Sequence, residues 1–576
     1  MPVTGTSVQT AALNRHSGLV QQAAERLRAQ RFLQRLWRQD ASLWSNDPAV
    51  QSSIKNRLGW LSISEVLSQQ TEAVSRLVQE IRSVGFTHAL LLGMGGSGLF
   101  AEVCRQTFGV APGHLDLAVL DTTDPTAIRS HQSRCDPAHL CVIVSSKSGS
   151  TIEVASLAKY FYSLLTPLGN PGDHCLAITD CGTPLETQAK AQRFRRVLTH
   201  GCGTGAEVGG RFSALTYFGL VPAALIGADI NRLLRRADEM LARCGSEASF
   251  DDNPALQLGA ALGALAQAGV DTLTLLCAPP IASFGTWVEQ LIAESTGKKG
   301  QGIVPIHGEP VREPAGYGSD RVFVELQLAS ELDKTLERQV DALESAGHPV
   351  IRIRWQDRYD LGGEAVKWFI ATTIAGSLLG IDPFDEPNVK ESKDRTKALL
   401  ERYVRDRRFD EGQPCCSDEQ FNIYGPSGQP GPVASCLSAF FQQRRPDDYV
   451  ALLSFLPRTA VLDRAAQTLR EWFAERLRVA TMLQFGPRYL HSTGQLYKGG
   501  PNHGLFLLFT ADERCDLPIP GEHVTFATLK QAQALGDFDA MRDKGRRILR
   551  VHLRGDHERA MQRLTKMIEE ALALEV

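Results

Sequence analysis

From His88 onward, short apolar runs alternate with longer segments whose apolar residues recur at helical spacing. HALLLG, LDLAVL, LCVIVS, CLAITD and RVLTH are runs of this kind, rich in Leu, Val and Ile and ended by Gly, Ser, Thr or Asp. Runs without polar alternation predict strands covered on both faces, and the segments between them predict the covering helices. Repeated strand and helix in this order predicts an open parallel sheet, a doubly wound α/β domain over residues 84–250. VDTLTLLCAPP and HPVIRIR continue the pattern into a second α/β domain over 251–405. DDYVALLSFL, RVATMLQFG, GLFLLFTAD and RILRVHLR, with the helix LDRAAQTLREWFAERL, predict a smaller α/β unit over 447–576. Ahead of these domains, QQAAERLRAQRFLQRLWRQ and SISEVLSQQTEAVSRLVQEIRS predict an N-terminal helical segment, 1–83, anchored in a core by Trp37, Trp44 and Trp60. Between 406 and 446 the chain is rich in Gly, Pro, Ser and Gln, which predicts a linker or extended arm.

Composition narrows the class without naming it. The 576 residues are 43% hydrophobic and 22% charged, as in ordinary globular domains. A net charge of −3 leaves no electrostatic footprint for nucleic acid or an anionic membrane, so any basic site is local. No apolar run reaches bilayer-spanning length and the N-terminus lacks a basic-then-apolar leader, so the expected location is the cytoplasm, with no membrane partner. The twelve cysteines have no metal-type spacing and read as separate reduced thiols. Two α/β domains in one chain can pair with each other, so a monomer and a homodimer are both compatible with the sequence.

The stretch Val142–Val154, VIVSSKSGSTIEV, carries the first chemistry. A buried strand stops at small hydroxylated residues that open a helix beginning near Thr151. Amides at a helix start lack intrahelical acceptors and carry partial positive charge. Ser146, Ser148, Ser150 and Thr151, with Lys147 beside them, therefore predict a cradle for a phosphate monoester. A plain N-cap and turn is the competing reading, and the density of hydroxyls around Lys147 and Gly149 weighs against it. Gly93, Gly95 and Gly98 spell GxGxxG, and Asp121 stands where a dinucleotide fold puts its ribose-binding carboxylate. That rival is weaker: tight strand-to-helix turns need glycine whatever they bind, and the hydroxyl loop has no task in a nicotinamide enzyme.

SSKSGSTIE resembles the phosphate loop of the sugar isomerase (SIS) domain, in particular that of glucose-6-phosphate isomerases. Several further stretches are similar to that family. Gly96-Ser97 resembles the turn whose serine joins the phosphate cradle. GGRFS, 209–213, resembles the element whose arginine, here Arg211, lies against the sugar O1 and O2 and steadies an enediolate. Glu294-Ser295-Thr296-Gly297-Lys298 resembles the family's E-S-N-G-K, with Thr for Asn, and implies Glu294 as the base that moves a proton between C2 and C1. Seven positions after Glu386, which replaces the family's Gln, comes Lys393, implied as the ring-opening lysine. HSTGQL implies His491 as the ring-opening histidine, although the family places this run before the lysine element and here it follows; His307 is a competing candidate. From about residue 30 the order of elements most resembles the isomerase half of bifunctional transaldolase/glucose-6-phosphate isomerases. Within this sequence no stretch is long enough for the transaldolase barrel, so that second activity is not expected. The resemblance implies a sugar phosphate substrate, no metal, and no organic cofactor. Two alternatives stay open: an isomerase that also accepts mannose 6-phosphate, and a SIS regulator that binds sugar phosphate without catalysis.

Overall fold

The computed structural model describes residues 7–62, 70–202, 207–425 and 432–573. The serine expected to start the second N-terminal helix adjoins 63–69, outside the described residues, and that helix is described as Thr71–Ser83. The contacts of the chain divide it into two units: 1–121, 133–308 and 319–385 form the first, and 122–132, 309–318 and 386–576 the second.

The first unit holds two sheets. One runs in the order Asp116–Leu120, His88–Gly93, Leu140–Ser145, Cys175–Asp180, Arg196–His200, all parallel, as the apolar runs predict. His88–Gly93 is followed in the chain by its neighbour on one side and then by its neighbour on the other. The winding therefore reverses between His88–Gly93 and Leu140–Ser145. Open α/β sheets bind ligands at the carboxyl ends of the strands that flank such a reversal. The loops leaving those two ends are 94–98 and 146–151, the two glycine- and hydroxyl-rich stretches.

The second sheet runs Val8–Ala12, Val350–Trp355, Arg321–Leu328, Thr272–Cys277, Val304–His307, parallel except for the first strand. The Val8–Ala12 strand lies in a segment read from sequence as purely helical. As an antiparallel edge strand it buries little, Val8 being 51% exposed, so it carries no apolar run for a sequence pattern to register. Helix Asp360–Leu379 is buried around nearly its whole circumference, with Pro254–Gln267 and Ile230–Arg243 packed on it. Trp44 and Trp60 are buried and Trp37 is half-buried. Trp60 stacks on Phe212, which also packs against Phe369 and Phe384.

The second unit holds one sheet, ordered Cys416–Ser417, Phe421–Tyr424, Arg547–Leu553, Gly504–Ala511, Tyr449–Ser454, Ala480–Phe485. The last four strands are parallel. The stretch expected as a linker, 406–446, supplies the first two strands and helix Val433–Phe441. Its polar average conceals FNIY, whose Phe421 and Ile423 are buried, paired antiparallel with Arg547–Leu553. The cysteine expectation is also corrected. Cys181 and Cys202, and Cys416 and Cys436, are joined as disulfides, while the other eight are thiols. Partners some twenty residues apart leave no spacing signature. Among the described residues no helix is long and apolar enough to cross a membrane.

Candidate active site

The hydroxyl loop leaves Leu140–Ser145 and ends at helix Ile152–Leu165, for which Thr151 is the N-cap residue. The Thr151 side chain makes no capping bond; its Oγ1 accepts instead from Ser146 Oγ at 3.2 Å. Ser148 Oγ accepts from the Ser150 amide at 3.4 Å and from Ser150 Oγ at 3.1 Å. Gly149 turns the loop at φ +64°, and a Cβ there would stand 2.7 Å from that of Thr183. Ser97 Oγ accepts from the Lys147 amide at 3.3 Å, and Ser145 Oγ donates to Ser97 O at 2.6 Å. Ser97, Ser146, Ser148 and Thr151 therefore lie around one helix start. Lys147, beside them, has its Nζ paired with Asp180, whose carboxyl is pushed above its ordinary range by burial and drawn back by that ammonium.

A glycine contact joins this loop to the arginine turn. A Cβ on Gly96 would stand 2.0 Å from Gly210 O, so the 95–97 and 210–212 turns meet backbone to backbone. Ser213 Oγ adds a bond to Gly96 O at 3.2 Å. Arg211, which follows Gly210, is buried. Its Nε donates to Ser295 Oγ at 2.7 Å, its Nη2 to Pro383 O at 2.6 Å and Asp385 O at 3.0 Å, and its Nη1 lies 3.4 Å from Glu294 Oε2. Glu294, 6% exposed, sits in the last turn of helix Ala282–Thr296. Thr296, in place of the family's Asn, donates to Ile292 O at 2.8 Å and accepts from the Ile303 amide at 2.9 Å, closing the loop after the helix.

Arg211, Glu294 and the hydroxyl loop are thus brought together within the first unit. A buried carboxylate beside a guanidinium, one glycine contact from a phosphate-type helix start, has the components for moving a proton next to developing oxyanion charge. Sequence reading did not assign a role to Lys298 or Asp385, whose Nζ and Oδ1 pair at 2.8 Å. Burial, then the Arg211 cation, lowers the Lys298 pKa to about 8 against the pull of Asp385. Both residues lie in the matched runs ESTGK and FDE, but partners 87 positions apart show no pairing in sequence.

Lys393 and His491 belong to the second unit. Lys393 is exposed on helix Pro387–Asp406, and His491 is half-buried at the end of the Arg488–His491 turn. The two runs are tied: Gln495 Oε1 accepts from the Asn388 amide at 2.9 Å, and Gln495 Nε2 donates to Asn388 Oδ1 at 2.8 Å. Below them, Asp537 takes Lys498 Nζ at 2.6 Å, Tyr489 Oη at 2.7 Å and Ser392 Oγ at 3.2 Å. Glu386 occupies the cap position of the lysine helix without capping it. His307 ends a strand of the first unit and lies against Gly285 of the Glu294 helix.

No family model matches the chain. A probable glucose-6-phosphate isomerase of Natronomonas pharaonis is 29% identical over 392 residues, 61% of this chain and 87% of its own length. A glucose-6-phosphate isomerase of Rubrobacter xylanophilus is 28% identical over 404 residues, 62% of this chain and 91% of its own. Among solved structures, a glucose-6-phosphate isomerase of Chlamydia trachomatis D/UW-3/Cx aligns with TM-score 0.58 at 16% identity, covering 70% of this chain and 90% of that one. At that identity the structural likeness speaks for the fold.

Proposed function

We infer that this chain, whose relatives are glucose-6-phosphate isomerases, is an aldose–ketose isomerase that interconverts glucose 6-phosphate and fructose 6-phosphate. The observation that carries this reading is the buried Glu294–Arg211 pair, joined through Gly210 and Gly96 to the hydroxyl loop at the sheet's reversal. The sugar phosphate seats on Ser97, Ser146, Ser148 and Thr151 and on the amides at the start of helix Ile152–Leu165. Lys147, already neutralised by Asp180, shapes the loop more than it supplies charge.

Once the pyranose ring is open, Glu294 takes the C2 proton, which the neighbouring carbonyl acidifies, and returns it to C1. Charge on the enediolate oxygens is met by Arg211, fixed beforehand by its other acceptors, so little reorganisation is required as the charge forms. Ring opening needs a proton moved from the anomeric hydroxyl to the ring oxygen. His491 and Lys393 are assigned that step from their motifs, and the Gln495–Asn388 contact supports their acting together. The reaction leaves the redox state of the substrate unchanged overall. Charged sugar phosphates do not cross bilayers unaided, and the cytoplasm is the location that goes with this reading.

A non-catalytic SIS regulator needs the hydroxyl loop but has no use for a buried carboxylate set against Arg211, which favours the enzyme. A coupled assay of fructose 6-phosphate conversion tests this, with mannose 6-phosphate as a second substrate. The expected result is conversion by wild type and its loss in Glu294→Gln with sugar phosphate binding retained. Binding without turnover in wild type would select the regulator, and conversion of both phosphates would select the dual isomerase.

A further inference from the structure

Four consecutive carbonyl oxygens, of Asp382, Pro383, Phe384 and Asp385, each accept from a cationic side chain. Lys298 Nζ takes Asp382 O, Arg211 Nη2 takes Pro383 O at 2.6 Å and Asp385 O at 3.0 Å, and Arg57 Nη1 takes Phe384 O. The turn is closed internally by the Phe384 amide donating to Asp382 Oδ1 at 2.8 Å. It is pegged by the Phe384 ring, fully buried between Trp44 and Phe212. Within this ring of cations Lys298 grips both ends, the carbonyl of the first residue and the carboxylate of the last. Arg211, which faces Glu294, takes two of its acceptors from the same turn. The turn's shape therefore sets where the guanidinium points.

We propose that Lys298 is a positioning residue of this site: as an ammonium it holds the Asp382–Asp385 turn in the form that aligns Arg211 on Glu294, and losing its proton releases the turn. The kinetic consequence rests on the isomerase reading; the clamp itself does not. A neutral amine keeps two N–H donors but no charge, so it loses the ionic attraction of the half-exposed Asp385 carboxylate that grips the far end of the turn. The charged groups facing Lys298 are Arg211, Asp385 and Asp382, with Glu294 behind Arg211. Its proton is therefore held weakly for a lysine, with release at about pH 8. A buried lysine with a lowered pKa destabilises the fold while charged and ceases to do so as pH rises from about 8 toward its ordinary value of 10.5. Loss of activity over that range through Lys298 is thus separate from unfolding, to which this group contributes in the opposite sense.

The test combines kcat against pH for the full chain on fructose 6-phosphate with hydrogen exchange of the peptide 380–385. In wild type kcat falls above about pH 8. In Lys298→Arg, charged throughout, that limb disappears and kcat stays within about tenfold. In Lys298→Met kcat at neutral pH drops about 100-fold with a much smaller change in KM, as for a misplaced catalytic group, and the peptide exchanges faster. An unchanged limb in Lys298→Arg, or unchanged kcat and exchange in Lys298→Met, would overturn the proposal. If wild type converts no sugar phosphate, the isomerase reading fails on its own, and the exchange comparison alone decides the clamp.

Discussion

Arg211 Nη1 lies 3.4 Å from Glu294 Oε2, with both side chains buried, and the same guanidinium is held by Ser295, Pro383 and Asp385. An arginine placed only to neutralise a carboxylate would form the shorter two-pronged pair that its fork allows. Here most of its donors face other acceptors, which fixes the guanidinium beside the carboxylate. Such an arrangement suits a base that must exchange protons with a substrate.

Glu294→Gln keeps the shape and removes the basicity. Isomerase kcat is expected to fall about 100- to 10,000-fold, the usual contribution of a general base, with KM for fructose 6-phosphate changing far less. Steady-state kinetics in both directions measures this, and near-normal kcat would remove Glu294 from its role.

Gly96→Ala tests the backbone contact. Its methyl would stand 2.0 Å from Gly210 O, so the two turns must separate, at about 1–3 kcal/mol of stability and with most of the activity. Gly18→Ala is the control: nothing lies within 4 Å, and the helical site is expected to gain up to about 1 kcal/mol. Denaturant midpoints and activity of both variants check the contrast.

Asp360 gives stability a pH dependence. Burial pushes its carboxyl up to about 7, above the ordinary 3.8, despite the Gln356 amide and Arg236. An acid that binds its proton more tightly when folded makes stability fall as pH rises through the interval between those two values, and the loss is complete above about 7. Asp360→Asn, which keeps an acceptor for Gln356, is expected to flatten that part of the curve, read from unfolding midpoints at a series of pH values.

Asp537→Ala is expected to destabilise the second unit by about 3–5 kcal/mol, because it leaves the Lys498 ammonium buried with its carboxylate gone. Replacing Lys498 by Met in the same chain should recover part of the loss. The unfolding transition of the second unit measures both.

His491→Gln, Lys393→Gln and His307→Gln together decide the ring-opening assignment. The first two are expected to slow conversion of ring-form substrate about 100-fold, within the usual range for acid–base catalysis, and His307→Gln to have little effect. Equal losses in all three, or a loss confined to His307→Gln, would move the step elsewhere.

The strands were legible because parallel strands covered on both faces must be apolar along their length, and LLLG, VIVS and LAIT are. The Val8–Ala12 edge and the FNIY strand were not, since one buries little and the other is four residues inside a polar stretch. The hydroxyl loop was legible for a local reason: its hydroxyls and the helix start they cluster around are a few residues apart in the chain. Residue types and short-range spacing thus determined the α/β class and the clustering of hydroxyls at a helix start, while the carboxylate nominated as base came from the resemblance carried by ESTGK. The tertiary structure alone decided that Gly96 rests on Gly210, that Asp180 neutralises Lys147, and that Arg211 and Lys298 share one turn with Arg57. Each of those joins positions 33 or more apart in the chain. Contact at such separation is set by how sheets and helices close on a common core, which no local pattern of side chains encodes.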